Sequence, residues 1–347
     1  MGRGNLITLI VFAVVIVVFP LVVTSPYYLR VMNFAGISAI ICIGLSLLLG
    51  YAGQISIGQA GFFALGAYTS GILTVHFGYS VGFGVVAGIV LNCVVAFIVG
   101  IPTLKLRGHY LAMATLGLGE IIHIVALADT EDFTNLIQSV GEKLGYNADK
   151  LSDALEPYAA LTGGPSGFAG IPTIGIGSWD VSTPVQWFYL IWIIAFVFLA
   201  LALNLIHSRI GRALRAIHGN EEAARAMGVN TPPLKVGVFV ISAAMASIAG
   251  SLYAHYVTFI SPGTFSINES ILVVVMVAVG GMMNVWGAIV GAIVMTALPE
   301  TLRFFHDYDI LMYGIVLLLI MMFMPDGLVG LGQGIYASIR GRGQGEK

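Results

Sequence analysis

The chain has 347 residues, of which 58% are hydrophobic and only 9% charged. A soluble domain carries roughly 25% charged residues because its surface must be wetted, so a water-coated globule is excluded and lipid is the solvent this composition fits. Net charge is −2 and mean hydropathy +0.95, a balance that gives no basis for binding nucleic acid.

A bilayer core of roughly 30 Å needs about 20 apolar residues per helix. On that measure the sequence predicts an all-α integral membrane protein, a polytopic helix bundle of about ten transmembrane segments, some of them broken. In chain order the segments are 6–24, 31–50, 55–75, 81–104, 109–128, 187–206, 236–257, 271–283, 285–299 and 310–324. The first could instead be a cleaved signal peptide, but its length, the missing A-x-A site and the Ser25-Pro26 exit favour a span. The third is rich in glycine, and the pair 271–283 and 285–299, joined at Asn284, is short enough to be re-entrant. Cys42 and Cys93 lie inside apolar runs and read as small packing residues, with no disulfide and no metal pair expected. The 44 glycines show no collagen-like period and favour close helix packing. Gly84/Gly88, Ala246/Gly250 and Gly287/Gly291 have the small-xxx-small spacing of packed helices.

Charge sets the expected direction. With Arg3 in the cytoplasm and each segment crossing once, eleven of the 15 Lys and Arg fall on the cytoplasmic side. Both termini are then cytoplasmic, as the positive-inside rule requires. The connection 129–186, with eight acidic residues and two lysines, becomes an external insertion. Trp187, Tyr189 and Trp192 follow it, where an interfacial aromatic belt is expected.

The loop 207–235 is the most informative stretch. Ile210, Ala213, Leu214 and Ile217 fall at helical spacing and form one apolar face, with Arg209, Arg212 and Arg215 on the other side. Ser208 is placed to cap this helix, and Gly219 ends it. Asn220 is placed to cap a second helix that opens on Glu221 and Glu222, where carboxylates suit the helix dipole. Gly228 supplies a stop, and Pro232-Pro233 separates the unit from the next span. Two short helices at a sharp corner result. They serve either as an amphipathic surface on lipid headgroups or as a rigid dock for a soluble partner.

No G-x-x-x-x-G-K-[ST] occurs, so no ATP-phosphate cradle is expected on this chain, and no nucleophile elbow, HExxH or dinucleotide fingerprint predicts catalysis. Catalytic and metal-ligating residues are therefore not expected. Candidate path residues are those that place polarity inside the apolar runs. Glu120 lies within LGLGEIIHI, and its structural reading, a hydrogen-bond acceptor tying helices together, outweighs a proton relay. Gln54, Ser56 and Gln59, interleaved with Gly53, Gly58 and Gly61, mark a bent backbone at membrane depth. Gly280-Gly281, Asn284 and Gly287 form a comparable break and a faint internal-repeat counterpart.

The segment Glu222-Ala223-Ala224 followed by Gly228 resembles the EAA loop of ABC-importer permeases. Five stretches, 44–68, 106–122, 161–172, 208–230 and 324–330, resemble the branched-chain amino-acid permease family, in its LivM-like branch. The resemblance implies a single transmembrane permease domain over 1–347, sited in the cell inner membrane. In it 207–235 is an ATPase-coupling loop that uses Arg209, Arg212, Arg215, Glu221, Glu222, Ala223, Ala224 and Gly228. It implies a LivH-like second permease subunit, two cytoplasmic ATPase subunits that bind ATP and Mg, and an extracytoplasmic binding protein. The implied cargo is leucine, isoleucine and valine. Urea, short amides and other neutral amino acids stay open within the family, and an ion-coupled secondary transporter stays open outside it.

Overall fold

The computed structural model describes residues 3–103, 108–127, 161–176, 179–302 and scattered positions between 314 and 330. An apolar first helix, α1 (Arg3–Val22), lies along the rim of the bundle, where Phe12 and Phe19 pack on later aromatic rings and most other side chains face outward. α2 (Pro26–Leu45) continues through a π-helical turn, Ser46–Tyr51, and is buried almost throughout. An irregular stretch, 52–58, precedes α3 (Gln59–Val75). The third segment therefore begins as helix only at Gln59, because Gly53 at φ 66° and the polar residues beside it interrupt the backbone ladder. α4 (Val81–Thr103) and α5 (His109–Leu127) follow. Each turns one face to the bundle and leaves a long apolar face uncovered, as lipid contact requires.

α6 (Pro184–His207) opens with a capping box between Thr183 and Gln186. Two short helices, α7 (Arg209–Gly219) and α8 (Glu221–Ala226), lead to α9 (Thr231–Val257). Pro232 and Pro233 do not separate the loop from the next span. They occupy the first turn of α9, where a missing N–H leaves no hydrogen bond unmade. α10 (Ile267–Gly280) and α11 (Val285–Leu302) complete the described helices. The expected last span, 310–324, lies largely outside the described residues, as do 128–160 of the insertion.

Among the described residues six helices are long and apolar enough to cross a membrane: α2 with its π turn, α4, α5, α6, α9 and α11. At 17 and 14 residues, α3 and α10 fall short.

Helix contacts fix the directions. Asn33 donates to Tyr256 Oη at 3.2 Å near one end, and Gly44 lies against Ser242 further along, so α2 and α9 run antiparallel through the core. α3 runs parallel to α9, because Gln59 pairs with Ser242 and Ser70 with His255. α10 runs parallel to α2, because Cys42 meets Met276 and Ser46 meets the Met282 carbonyl. The order long helix, irregular stretch, short helix, tight turn, full helix thus occurs twice, as α2–α3–α4 and, inverted, as α9–α10–α11. The counterpart of 52–58 is 258–266, and not the Gly280–Gly287 turn.

Among the described residues, sheet enters only at the end opposite α7 and α8. β1 (Phe168–Ala169) pairs antiparallel with β4 (Phe259–Ile260), and β2 (Gly175–Ile176) pairs with β3 (Trp179–Asp180). His255 joins this end together: its Nδ1 donates to the Pro172 carbonyl at 2.7 Å, so Nε2 accepts from Ser70 at 2.6 Å. Trp187 and Trp192 do not form an exposed belt. Both are buried, with Trp187 against Tyr256 and Trp192 Nε1 donating to the Met32 carbonyl at 3.1 Å. Helix neighbours took the place assigned to the headgroup layer.

Candidate functional site: an elbow against a broken helix

The α7–α8 elbow forms as its caps demand. Ser208 Oγ accepts from the N–H groups of Ile210 and Gly211, and Asn220 Oδ1 accepts from those of Glu222 and Ala223. Leu214 and Ile217 are buried beneath α7 as the spacing requires, while Ile210 remains exposed. Gly228 sits at φ 85°, a left-handed stop, and its N–H donates to the Arg225 carbonyl at 2.9 Å. Asn220→Ala should lower stability by about 1 kcal/mol through loss of the cap, read as an earlier thermal melt of the purified protein in detergent.

The eight predicted coupling residues divide by what they touch. Arg209, Arg212, Glu222, Ala223 and Gly228 are exposed, beside Met227 at 86% exposure. Ala224 is buried and belongs to the packing under α8. Arg215 bends back and donates to the Ile206 carbonyl at 3.2 Å, where a cation suits the C-terminal end of α6. Glu221 is the anchor. Its carboxylate takes Arg225 at 2.5 Å, Lys235 at 3.3 Å and the Thr231 hydroxyl at 3.1 Å, tying α8 to the first turn of α9. Burial pushes this carboxyl up, but Lys235, Thr231 and Arg225 together outweigh burial and hold it below the usual carboxylate range. Sequence reading assigned Glu221 to the helix dipole and missed Thr231 and Lys235. The spacings of 10 and 14 residues have no helical period to reveal them.

The elbow rests on the broken helix. His218 on α7 packs against Gly53, whose added Cβ would lie 3.0 Å from His218 Nδ1. Beyond Gly53 the predicted path residues are almost wholly buried, with Gln54 3%, Ser56 1% and Gln59 1% exposed. Gln59 Nε2 donates to Ser242 Oγ at 3.1 Å, and the Ala60 N–H donates to Ser270 Oγ at 3.0 Å. Both amide atoms of Gln54, Ser56 Oγ and Gln59 Oε1 have no hydrogen-bond partner among the described residues. An unsatisfied buried polar group carries a penalty of about 1–3 kcal/mol, so four together mark a place that water or a solute must satisfy. Ser242 lies eleven residues into α9, roughly 16 Å from its start, which puts the start of α3 well inside the bundle.

The other two path candidates are placed differently. Glu120 is no isolated carboxylate tying helices together: His123 Nδ1 stands 3.6 Å away on the same helix. The Asn284 side chain accepts from the Trp286 N–H at 3.0 Å and caps α11, a local role in the turn. Neither joins the 52–58 cluster through a hydrogen bond. The small-xxx-small pairs meet backbone of neighbouring helices, as at Gly84 against Ser70 and Gly291 against Met276.

The family model described as "Branched-chain amino acid transport system / permease component" matches residues 27–325. The chain is 33% identical over 316 residues to the high-affinity branched-chain amino acid transport system permease protein LivM of Escherichia coli (strain K12), an alignment covering 84% of this chain and 67% of that protein. It is 27% identical over 327 residues to the LivH permease protein of the same strain, covering 88% and 96%. A ribose import permease protein, RbsC, of that strain is 31% identical over 147 residues, covering 40% and 44%. No solved structure matches the chain significantly. This chain belongs to the permease-component family of branched-chain amino acid transport systems and is a multi-pass inner-membrane transport subunit.

Proposed function

We propose that the chain works beside a LivH-like permease as half of the membrane pore of an ATP-driven importer, with leucine, isoleucine and valine as cargo. Its relatives carry both names of such a pair. About ten spans with both termini in the cytoplasm put the elbow on the inner face. Two separate ATPase subunits, binding ATP and Mg, dock there on Arg209, Arg212, Glu222 and Met227. An extracytoplasmic binding protein delivers the amino acid to the opposite end, where the 161–176 segment lies. One observation carries this reading: a capped, ion-paired elbow whose tip, His218, bears directly on the Gly53 end of the broken helix. A push on the elbow then moves the buried polar stretch that begins at Gln54, and access switches there.

Proteoliposomes containing both permeases, the ATPases and the binding protein test it. Leucine uptake is expected to require ATP and the binding protein, and Glu222→Lys should reduce it about tenfold, a loss of about 1.4 kcal/mol of coupling, without altering membrane insertion. Uptake driven by an ion gradient with no ATPase present would overturn the proposal in favour of secondary transport.

A further inference from the structure

A cavity of about 280 Å³ lies between α2, α9, α10 and α11, beneath the irregular 258–266 stretch. Its wall is aliphatic and aromatic, with Phe34, Ile41, Leu272, Met276 and Met295. Polar side chains interrupt it at Ser38, Thr264, Thr296 and Glu269, with Tyr253 beside them. Thr296 Oγ1 is buried and has no hydrogen-bond partner among the described residues. Glu269 stands in the first turn of α10, and among the described residues no lysine, arginine or histidine pairs with it. A carboxylate against an apolar wall is unfavourable unless a cation or a proton meets it. The wall and the carboxylate therefore describe one ligand between them: an apolar body carrying an ammonium.

We propose that this cavity is a transient binding site for an aliphatic α-amino acid on its way through the permease, with the ammonium on Glu269, the side chain against Leu272 and Met276, and the carboxylate reached by Thr296. The proposal rests on the reading of the chain as an amino-acid importer and goes beyond it by placing the cargo. The volume agrees, since small-molecule sites begin at roughly 300 Å³ and one amino acid is a small ligand. The chemistry disfavours an anion lacking an ammonium, which would meet Glu269 with nothing to offset the repulsion. A larger cavity between α3 and α5, about 390 Å³ and lined by Leu65, Ile72, Ile121 and Val125, offers no carboxylate and cannot select an ammonium. None of Gln54, Ser56, Gln59, Glu120 or Asn284 lines the Glu269 cavity, so it lay outside every path candidate read from sequence.

The test uses the complete reconstituted transporter, labelled leucine at saturating binding protein, and basal ATP hydrolysis as a second readout. Glu269→Gln keeps shape and removes charge, and Leu272→Trp fills the cavity while leaving the carboxylate in place. Each is expected to lower leucine uptake about tenfold or more, with basal ATP hydrolysis and pairing with the second permease unchanged, and Glu269→Asp is expected to recover part of the Glu269→Gln loss. Wild-type uptake by either variant overturns the site, because a carboxyl that is merely protonated and structural tolerates an amide. Loss of uptake together with basal hydrolysis overturns it as well, since that reports damage to the fold. A wild-type transporter that carries no leucine sinks the amino-acid reading itself, and the two failures are thereby told apart.

Discussion

Gly250→Val is expected to abolish accumulation of folded protein in the membrane, whereas Gly237→Ala is expected to be silent or mildly stabilising. A Cβ at Gly250 would lie 2.0 Å from the Phe63 carbonyl oxygen and 2.9 Å from the Ala67 nitrogen. Both are backbone atoms of α3, and neither can rotate away. Overpacking a core ordinarily destabilises by about 1–3 kcal/mol, and the excess is larger where no side chain can yield. The only relief is to separate α9 from α3. Because Gln59–Ser242, Ser70–His255 and the Ser251 hydroxyl on the Gly66 carbonyl all cross the same seam, separation breaks them too. Gly237 has nothing within 4 Å of its added Cβ, so alanine there should gain the roughly 0.5–1 kcal/mol that glycine forfeits inside a helix. Membrane abundance and thermal melting in detergent check both. A folded, abundant Gly250→Val protein would show that α3 and α9 do not meet as described.

Replacing Glu221 should loosen the elbow while leaving the bundle intact. The carboxylate is only 15% exposed and the Lys235 side chain 7%, whereas Arg225 is half in solvent. Breaking a fully buried pair destabilises by roughly 3–5 kcal/mol; with one partner solvated, about 2–3 kcal/mol is expected for Glu221→Gln. The effect has a pH signature. A carboxyl held below its ordinary range contributes stability that is fully present above the ordinary carboxylate pKa and is lost as pH falls through its folded value. The melting difference between wild type and Glu221→Gln should therefore be largest near neutrality and vanish in acid. A difference that persists unchanged at low pH would mean that the carboxylate charge does not hold the elbow.

The contrast between these two positions shows what was legible beforehand. Small-xxx-small spacing marked Gly250 as a packing position because its cause is local: one face of one helix must be flat. Glu221 was visible as a first-turn acid and invisible as an anchor, because its strongest partners lie beyond any helical period. The elbow itself was legible for the reason Gly250 was. Ser208, Asn220 and Gly228 act on backbone groups within four residues. The break at Gln54–Gln59 was legible as polarity out of place. Its depth was not, since depth is set by α9 and Ser242.

By itself, then, the order of residues determined the solvent, the main apolar helices, the capped elbow and the family. Each of these follows from composition or from contacts between near neighbours along the chain. Only the tertiary structure decided that the helix order of α2–α4 recurs inverted in α9–α11 with α2 against α9, that His218 bears on Gly53, and that Glu269 faces an apolar cavity. Those facts depend on groups brought together from 165 to more than 200 positions apart, and a membrane helix with apolar residues all round carries no periodic signal of which face meets which neighbour.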